Sequence, residues 1–196
     1  ISWNELYLIR KQLSIQTSLF GLVSHLLNIG DRSLHNICIA LNSGDMFQHD
    51  FRPAYQRNGL FAREPTKTMP LRLTRNMQSF FTPFSIEGTI VNTITVAAHA
   101  LAEQQEWFEN ILKLFIRDEL TAWQFHKAGI LDPQLAHNDN LLRATIDSTV
   151  NSTTKLLEEL SPNLKSMFEQ QPDSLRYDLP PLNEKVTQLI RTARSP

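Results

Sequence analysis

Asn28–Arg52 reads NIGDRSLHNICIALNSGDMFQHDFR, and the rest of the chain is best understood outward from it. Two short runs, Asn36 to Leu41 and Asp45 to His49, flank a polar turn at Asn42-Ser43-Gly44. Runs of that length around a Gly-containing turn predict a β-hairpin, since Gly reaches the backbone conformations a tight turn needs. Such a hairpin would gather three side chains: Asp31 and Asn36 from the loop that leads into it, and Asp50 from its end.

An Asp, an Asn five residues on and a second Asp after a hairpin is the arrangement a protein kinase uses. One Asp takes the hydroxyl proton, while the Asn and the other Asp hold magnesium against the ATP phosphates. The order GDR-x-x-x-N and then HDF resembles the catalytic and metal loops of the phosphatidylinositol-3-kinase-related kinases, usually GDRHxxN and HIDFG. Two positions depart from that form. Ser33 stands where the family has His, and Arg52 stands where it has Gly. The Gly permits φ > 0, which costs an Arg energy.

Further segments agree with the family in order. MPLRLTRNMQSFF at Met69 to Phe81 is similar to the VPFRLT that follows the metal loop, and together with Ile86-Glu87-Gly88 it resembles the TRRAP-type pseudokinase branch. So do RKQLSIQ at Arg10 to Gln16, FQHDFRPAYQRNGLF at Phe47 to Phe61, and LFIRDE-x-x-x-W from Leu114 to Trp123. NEKVTQLIRTARSP at Asn183 to Pro196 is similar to the opening of the FATC segment, without its aromatic-rich final residues.

The 196 residues suffice for one domain with a sizeable core. A net charge of −1 argues for no whole-chain attraction to nucleic acid or membrane. The single cysteine, Cys38, excludes a disulfide framework within the chain; flanked by apolar residues, it reads as a buried, inert thiol. A reducing, intracellular compartment fits best. No apolar run approaches membrane-spanning length, and the N-terminus lacks a signal-peptide pattern. The opening without Met, inside a helical pattern, suggests a piece of a longer protein.

Helical periodicity accounts for most of the remainder. Ser2 to about Leu27 is a helix with Leu6, Ile9, Leu13, Leu19, Phe20, Val23, Leu26 and Leu27 mostly on one stripe, closed by Gly30. His25 near its end reads as a capping or core histidine. Arg52 to Lys67 is a loop broken by Pro53, Asn58-Gly59 and Pro65. Thr74 is a candidate N-cap for the helix that follows. Ile86 to Glu103 is a helix with core positions Ile90, Val91, Ile94, Ala97, Ala98 and Leu101, and its alanines permit close helix approach. Glu106 to Phe125 carries Phe108, Ile111, Leu112, Phe115, Ile116, Leu120 and Trp123 on a wide apolar face, with Arg117, Asp118 and Glu119 read as structural ion pairing. Asp139 to Leu160 is a more polar helix, residues 161–181 an irregular linker, and the end a helix with Val186, Leu189, Ile190 and Ala193 aligned. The other histidines, His35, His49, His99, His126 and His137, show no Cys or carboxylate at ligand spacing, and no GxSxG, CxxC or Walker motif occurs.

The expected fold class is mostly α with a small β-hairpin (α+β), the C-terminal lobe of a PI3K-related kinase-like domain. Residues 1–128 would form that lobe, 129–181 a helix and irregular linker, and 182–196 the start of the FATC helix. The phosphate-gripping Lys and Gly-rich loop of a kinase N-lobe have no counterpart in these residues. The resemblance therefore implies a pseudokinase region of a large scaffold subunit in SAGA and MYST-type histone acetyltransferase complexes. Such a region would be nuclear and would bind activators and neighbouring subunits, with no cofactor, metal, nucleic acid or membrane. Arg52, Arg57, Arg63 and Lys67 are the candidate partner contacts. The alternative is an active Ser/Thr kinase, since Asp31, Asn36 and Asp50 are all retained.

Overall fold

The structure, a computed structural model, describes residues 2–27, 29, 34–49, 73–81, 85–128, 139–161 and 183–194. Helix α1 spans Trp3–Leu26. Its start is set by a reciprocal cap: Ser2 Oγ accepts the Glu5 N–H at 3.2 Å, and a Glu5 carboxylate oxygen accepts the Ser2 N–H at 2.7 Å. Two amides that the helix leaves unbonded are thereby satisfied. At the other end the Leu27 N–H returns to the Val23 carbonyl at 2.9 Å and the Ile29 N–H to that of Ser24 at 2.9 Å. The expected stop at Gly30 lies outside the described residues.

The face α1 buries is not the expected stripe of large side chains. Leu13, Ser14, Thr17, Ser18, Gly21, Leu22, Ser24 and Leu26 turn inward, whereas Leu19 and Val23 are 37% and 36% exposed. A small-residue face lets α1 lie close to its main neighbour, α3. Its hydroxyls reach the core already satisfied: Ser14 Oγ donates to the Arg10 carbonyl at 2.8 Å and Ser18 Oγ to that of Ser14 at 2.7 Å. Back-bonding of this kind removes most of the cost of burying a hydroxyl.

A two-stranded antiparallel sheet follows, β1 (Ile37–Ile39) and β2 (Met46–Gln48), preceded by a 3₁₀ turn at Leu34–Asn36. Helix α2 is Arg75–Phe81. Thr74 caps it as expected, its Oγ1 accepting the Met77 N–H at 3.3 Å. Phe81 is buried, and Phe80 takes the Arg10 guanidinium over its ring at 5.0 Å, tying α2 to α1.

The helix expected from Ile86 begins differently. Ser85–Ile90 forms a wider, π-helical turn, and the α-helix α3 runs Val91–Glu103. Ile90, Val91, Ile94 and Ala98 are buried, with Ala97 and Leu101 at the margin, as the periodicity requires. Helix α4 is Gln105–Ala128 and α5 is Asp139–Leu160. Phe108, Leu112 and Ile116 of α4 join Val150, Leu157 and Leu160 of α5 in the core. Ile111, expected inside, is exposed beside Trp107 and Leu114, because α4 is covered on one side only. Helix α6, Glu184–Arg194, buries Val186, Ile190 and Ala193 against α3 and α5.

Asn183 caps α6 and reaches back to α5. Its Oδ1 accepts the Lys185 N–H at 3.1 Å, while its Nδ2 donates to the carbonyl of Leu160 at 2.8 Å. Side chains from α1 through α6 thus share one core, and the fold class is the expected one: mostly helical with a single small hairpin.

Candidate functional site

The hairpin is assembled from backbone pairing. Ile37 stands opposite Gln48, Cys38 opposite Phe47 and Ile39 opposite Met46. The ladder extends a step at each end, with the Ala40 N–H on the Asp45 carbonyl at 2.9 Å and the His49 N–H on the Asn36 carbonyl at 2.8 Å. The turn closes when the Gly44 N–H meets the Ala40 carbonyl at 2.8 Å, with Gly44 at φ 80°. That left-handed value favours Gly over any residue with a Cβ.

Strand β2 rests on α1. Gln12 Nε2 donates to Asp45 Oδ1 at 2.9 Å, Thr17 Oγ1 to the Met46 sulfur at 3.9 Å, and Ser24 Oγ to Gln48 Oε1 at 3.3 Å. Ser43 Oγ donates to the other Asp45 oxygen at 2.6 Å. The Ser43 and Gln12 hydrogen bonds, in that order, hold the Asp45 carboxyl below its ordinary value of 3.8, because both favour the charged form.

Alternation along the strands then sorts the hairpin into two faces. Met46 and Gln48, with Ile37, turn toward α1. Asn36, Cys38, Phe47 and His49 take the opposite side. Cys38 is exposed there, which corrects the expectation of a buried thiol. Its strand is the outer one, and only β2 is covered by a helix. Its Sγ lies 3.4 Å from His49 Nε2, so the histidines are not all remote from Cys or carboxylate either. His99 Nε2 likewise lies 3.4 Å from Glu103 on the next turn of α3, with Nδ1 3.5 Å from Ser161 Oγ. The i, i+4 spacing of His99 and Glu103 was visible in the sequence; the Cys38–His49 contact needed the strand register.

Of the three kinase-like positions, Asn36 is described. It is 8% exposed, and its Nδ2 has no hydrogen-bond partner among the described residues. The Asn36–His49 pair brings it opposite the residue that precedes Asp50. Asp31 and Asp50 themselves lie outside the described residues, as do Arg52, Arg57, Arg63 and Lys67. Arg117 and Asp118 sit on the solvent side of α4. Among the described residues no three His, Cys, Asp or Glu side chains converge as a metal site, and no helix is long and apolar enough to cross a membrane.

Comparison with known proteins bears on what this hairpin and its helices belong to. The profile of the family "Phosphatidylinositol 3- and 4-kinase" matches residues 2–125, from the α1 cap to near the end of α4. The chain is similar to the SAGA complex/NuA4 acetyltransferase complex subunit TRA1 of Saccharomyces cerevisiae, 27% identical over 172 residues and 79% of the chain. It is also similar to the DNA-dependent protein kinase catalytic subunit of Dictyostelium discoideum, 32% identical over 129 residues and 66% of the chain. A third relative is the transformation/transcription domain-associated protein of Danio rerio, 30% identical over 118 residues and 58% of the chain. The chain spans 3 to 4% of the length of these relatives. With a capped α1, the hairpin seated on it and the helices through α4 all inside the matched span, the chain belongs to the phosphatidylinositol 3- and 4-kinase family and is TRRAP-like within its PI3K-related branch.

Proposed function

We propose that this chain is the kinase-like region of a large, catalytically silent scaffold subunit in a histone acetyltransferase coactivator complex of the SAGA or NuA4 kind, working in the nucleus. One observation carries this reading. The alignment with TRA1 covers 79% of the 196 residues, so it runs past residue 125, where the family profile ends, into α5. The scaffold relative is therefore matched both in the kinase-like helices and in helical structure beyond them. Ser33 and Arg52 in the two loops support loss of catalysis, Arg52 most directly, since it replaces the residue that gives the metal loop its backbone freedom. In this reading residues 1–128 are the lobe, 129–181 lead out of it, and 182–196 open a FATC-like segment whose helix α6 is already seated in the lobe's core. The partners are neighbouring subunits and transcription activators, with Arg52, Arg57, Arg63 and Lys67 offered as a basic loop to acidic surfaces.

The test uses the full-length parent protein. Purified with its partners, it should carry acetyltransferase subunits, and magnesium–ATP should leave its melting temperature unchanged. A ligand at a hundred times its Kd stabilises a folded protein by about 2.7 kcal/mol. A shift of that order, lost in Asp50→Ala, would overturn the reading.

A second reading is favoured by a separate observation: Asp31, Asn36 and Asp50 are all retained, and Asn36 stands at the base of the hairpin with its amide nitrogen uncommitted. An active Ser/Thr kinase would use Asp31 on the substrate hydroxyl and Asn36 with Asp50 on magnesium. Transfer of labelled phosphate to a Ser-containing peptide by the parent protein, abolished in Asp31→Ala, is its signature.

A further inference from the structure

We propose that the outward face of the hairpin binds a soft divalent cation, zinc by its chemistry, between Cys38 and His49 with Asn36 beside them. The two primary donors are already at the right separation. In tetrahedral zinc coordination, with sulfur at about 2.3 Å and nitrogen at about 2.0–2.1 Å, the two ligand atoms stand about 3.6 Å apart. Cys38 Sγ and His49 Nε2 are 3.4 Å apart. That separation is fixed by the backbone: the pairs Cys38–Phe47 and Asn36–His49 set the two residues diagonally across one side of the ladder. Both side chains are exposed, so an ion can arrive without any rearrangement of the core.

Asn36 supplies the independent observation. It is over nine-tenths buried, lies on the same side directly across from His49, and leaves Nδ2 without a partner among the described residues. A buried amide nitrogen in that state is uncommon. With no bond to lose at Nδ2, the carboxamide can turn and present its oxygen to the ion.

The donor set selects the metal. Thiolate and imidazole favour zinc and disfavour magnesium, which takes oxygen donors and gives up its waters reluctantly. Binding exchanges one proton for the metal. The Cys38 S–H is replaced by an S–Zn bond, the proton passes to solvent, the neutral imidazole coordinates through Nε2, and water fills what remains of the coordination shell. Nothing is oxidised or reduced. Because no third His, Cys, Asp or Glu joins the pair among the described residues, the site is a reversible one rather than a structural zinc centre. It does not depend on whether the chain transfers phosphate.

Zinc chloride titrated into the full 196-residue chain, against a chromophoric chelator and with a non-coordinating reductant, should show one ion bound. Cys38→Ser and His49→Gln should each weaken binding roughly tenfold or more, the scale on which metal sites respond to loss of a supporting group. Both positions are exposed, so the variants keep the parent's circular dichroism and melting temperature. Cobalt in place of zinc should give a thiolate charge-transfer band that Cys38→Ser abolishes. Zinc should also slow alkylation of Cys38 by iodoacetamide, and a large excess of magnesium should not. No bound zinc, binding unchanged in both variants, or alkylation indifferent to zinc would each overturn the proposal.

Discussion

Gly44, at the tip of the hairpin, lies directly against the backbone carbonyl of Ile9 in α1, so closely that a Cβ on Gly44 would overlap that oxygen. The oxygen belongs to a helix backbone and cannot swing aside. Position 44 therefore controls how the hairpin, and with it Asn36, is held to the helical body.

Replacing Gly44 with Ala adds a Cβ where φ is 80° and the space is taken. Strain at a left-handed position alone costs about 1–2 kcal/mol, and the overlap adds to it. Urea denaturation of Gly44→Ala should show a loss of about 2 kcal/mol or more. An unchanged midpoint would mean that the hairpin does not sit on α1 as described.

Asn183 bridges two helices, so two substitutions separate its tasks. Asn183→Ala loses both the α6 cap and the bond to the Leu160 carbonyl, at about 1–2 kcal/mol. Asn183→Asp keeps an acceptor for the Lys185 amide but loses the donor, and should fall between Ala and the parent. Hydrogen exchange at the first amides of α6 is the direct readout, faster in Ala than in Asp.

Asp45 makes the hairpin sensitive to acid. Its folded pKa lies below the ordinary 3.8, through the Ser43 and Gln12 hydrogen bonds. For a carboxyl lowered on folding, the stabilising contribution is present above the unfolded pKa and disappears as pH falls through the folded one. Parent and Asp45→Asn should therefore differ by a constant amount above about pH 5 and converge below about pH 3. Melting temperature across that range measures it, and parallel curves throughout would refute it.

Two substitutions on α1 oppose the two ways of choosing its buried face. Ser18 is 0% exposed beside Leu22 at 3%, so Ser18→Leu should cost about 1–3 kcal/mol through overpacking. Leu19→Ala, on the neighbouring position, should cost less than about 1 kcal/mol, well short of the 2–5 kcal/mol of a core leucine. The reverse order would restore the large-residue stripe.

That comparison marks where local reading stops. The hairpin, its turn, the Thr74 cap, the buried positions of α3 and the aligned face of α6 follow from spacing and residue type, because their causes lie within a few residues: a Gly at a positive φ, a hydroxyl three residues before an amide, an apolar repeat of helical period. The family was equally legible, since the order of GDR, Asn36, HDF and PLRLT is a property of the chain and not of its packing. The candidate site was legible in part. Asn36 stands at the hairpin base as expected, and Asp31 and Asp50 lie outside the described residues.

What the amino-acid order by itself determined is the elements and their kind. What only the tertiary structure decided is which side of each element is covered. Whether Ser18 or Leu19 enters the core depends on how close α3 comes. Whether Cys38 is buried depends on the hairpin having a helix on one face and none on the other. Whether Asn183 caps one helix or joins two depends on where α5 ends in space. Burial and hydrogen bonding act between surfaces brought together by the fold, across separations in sequence that no local pattern records.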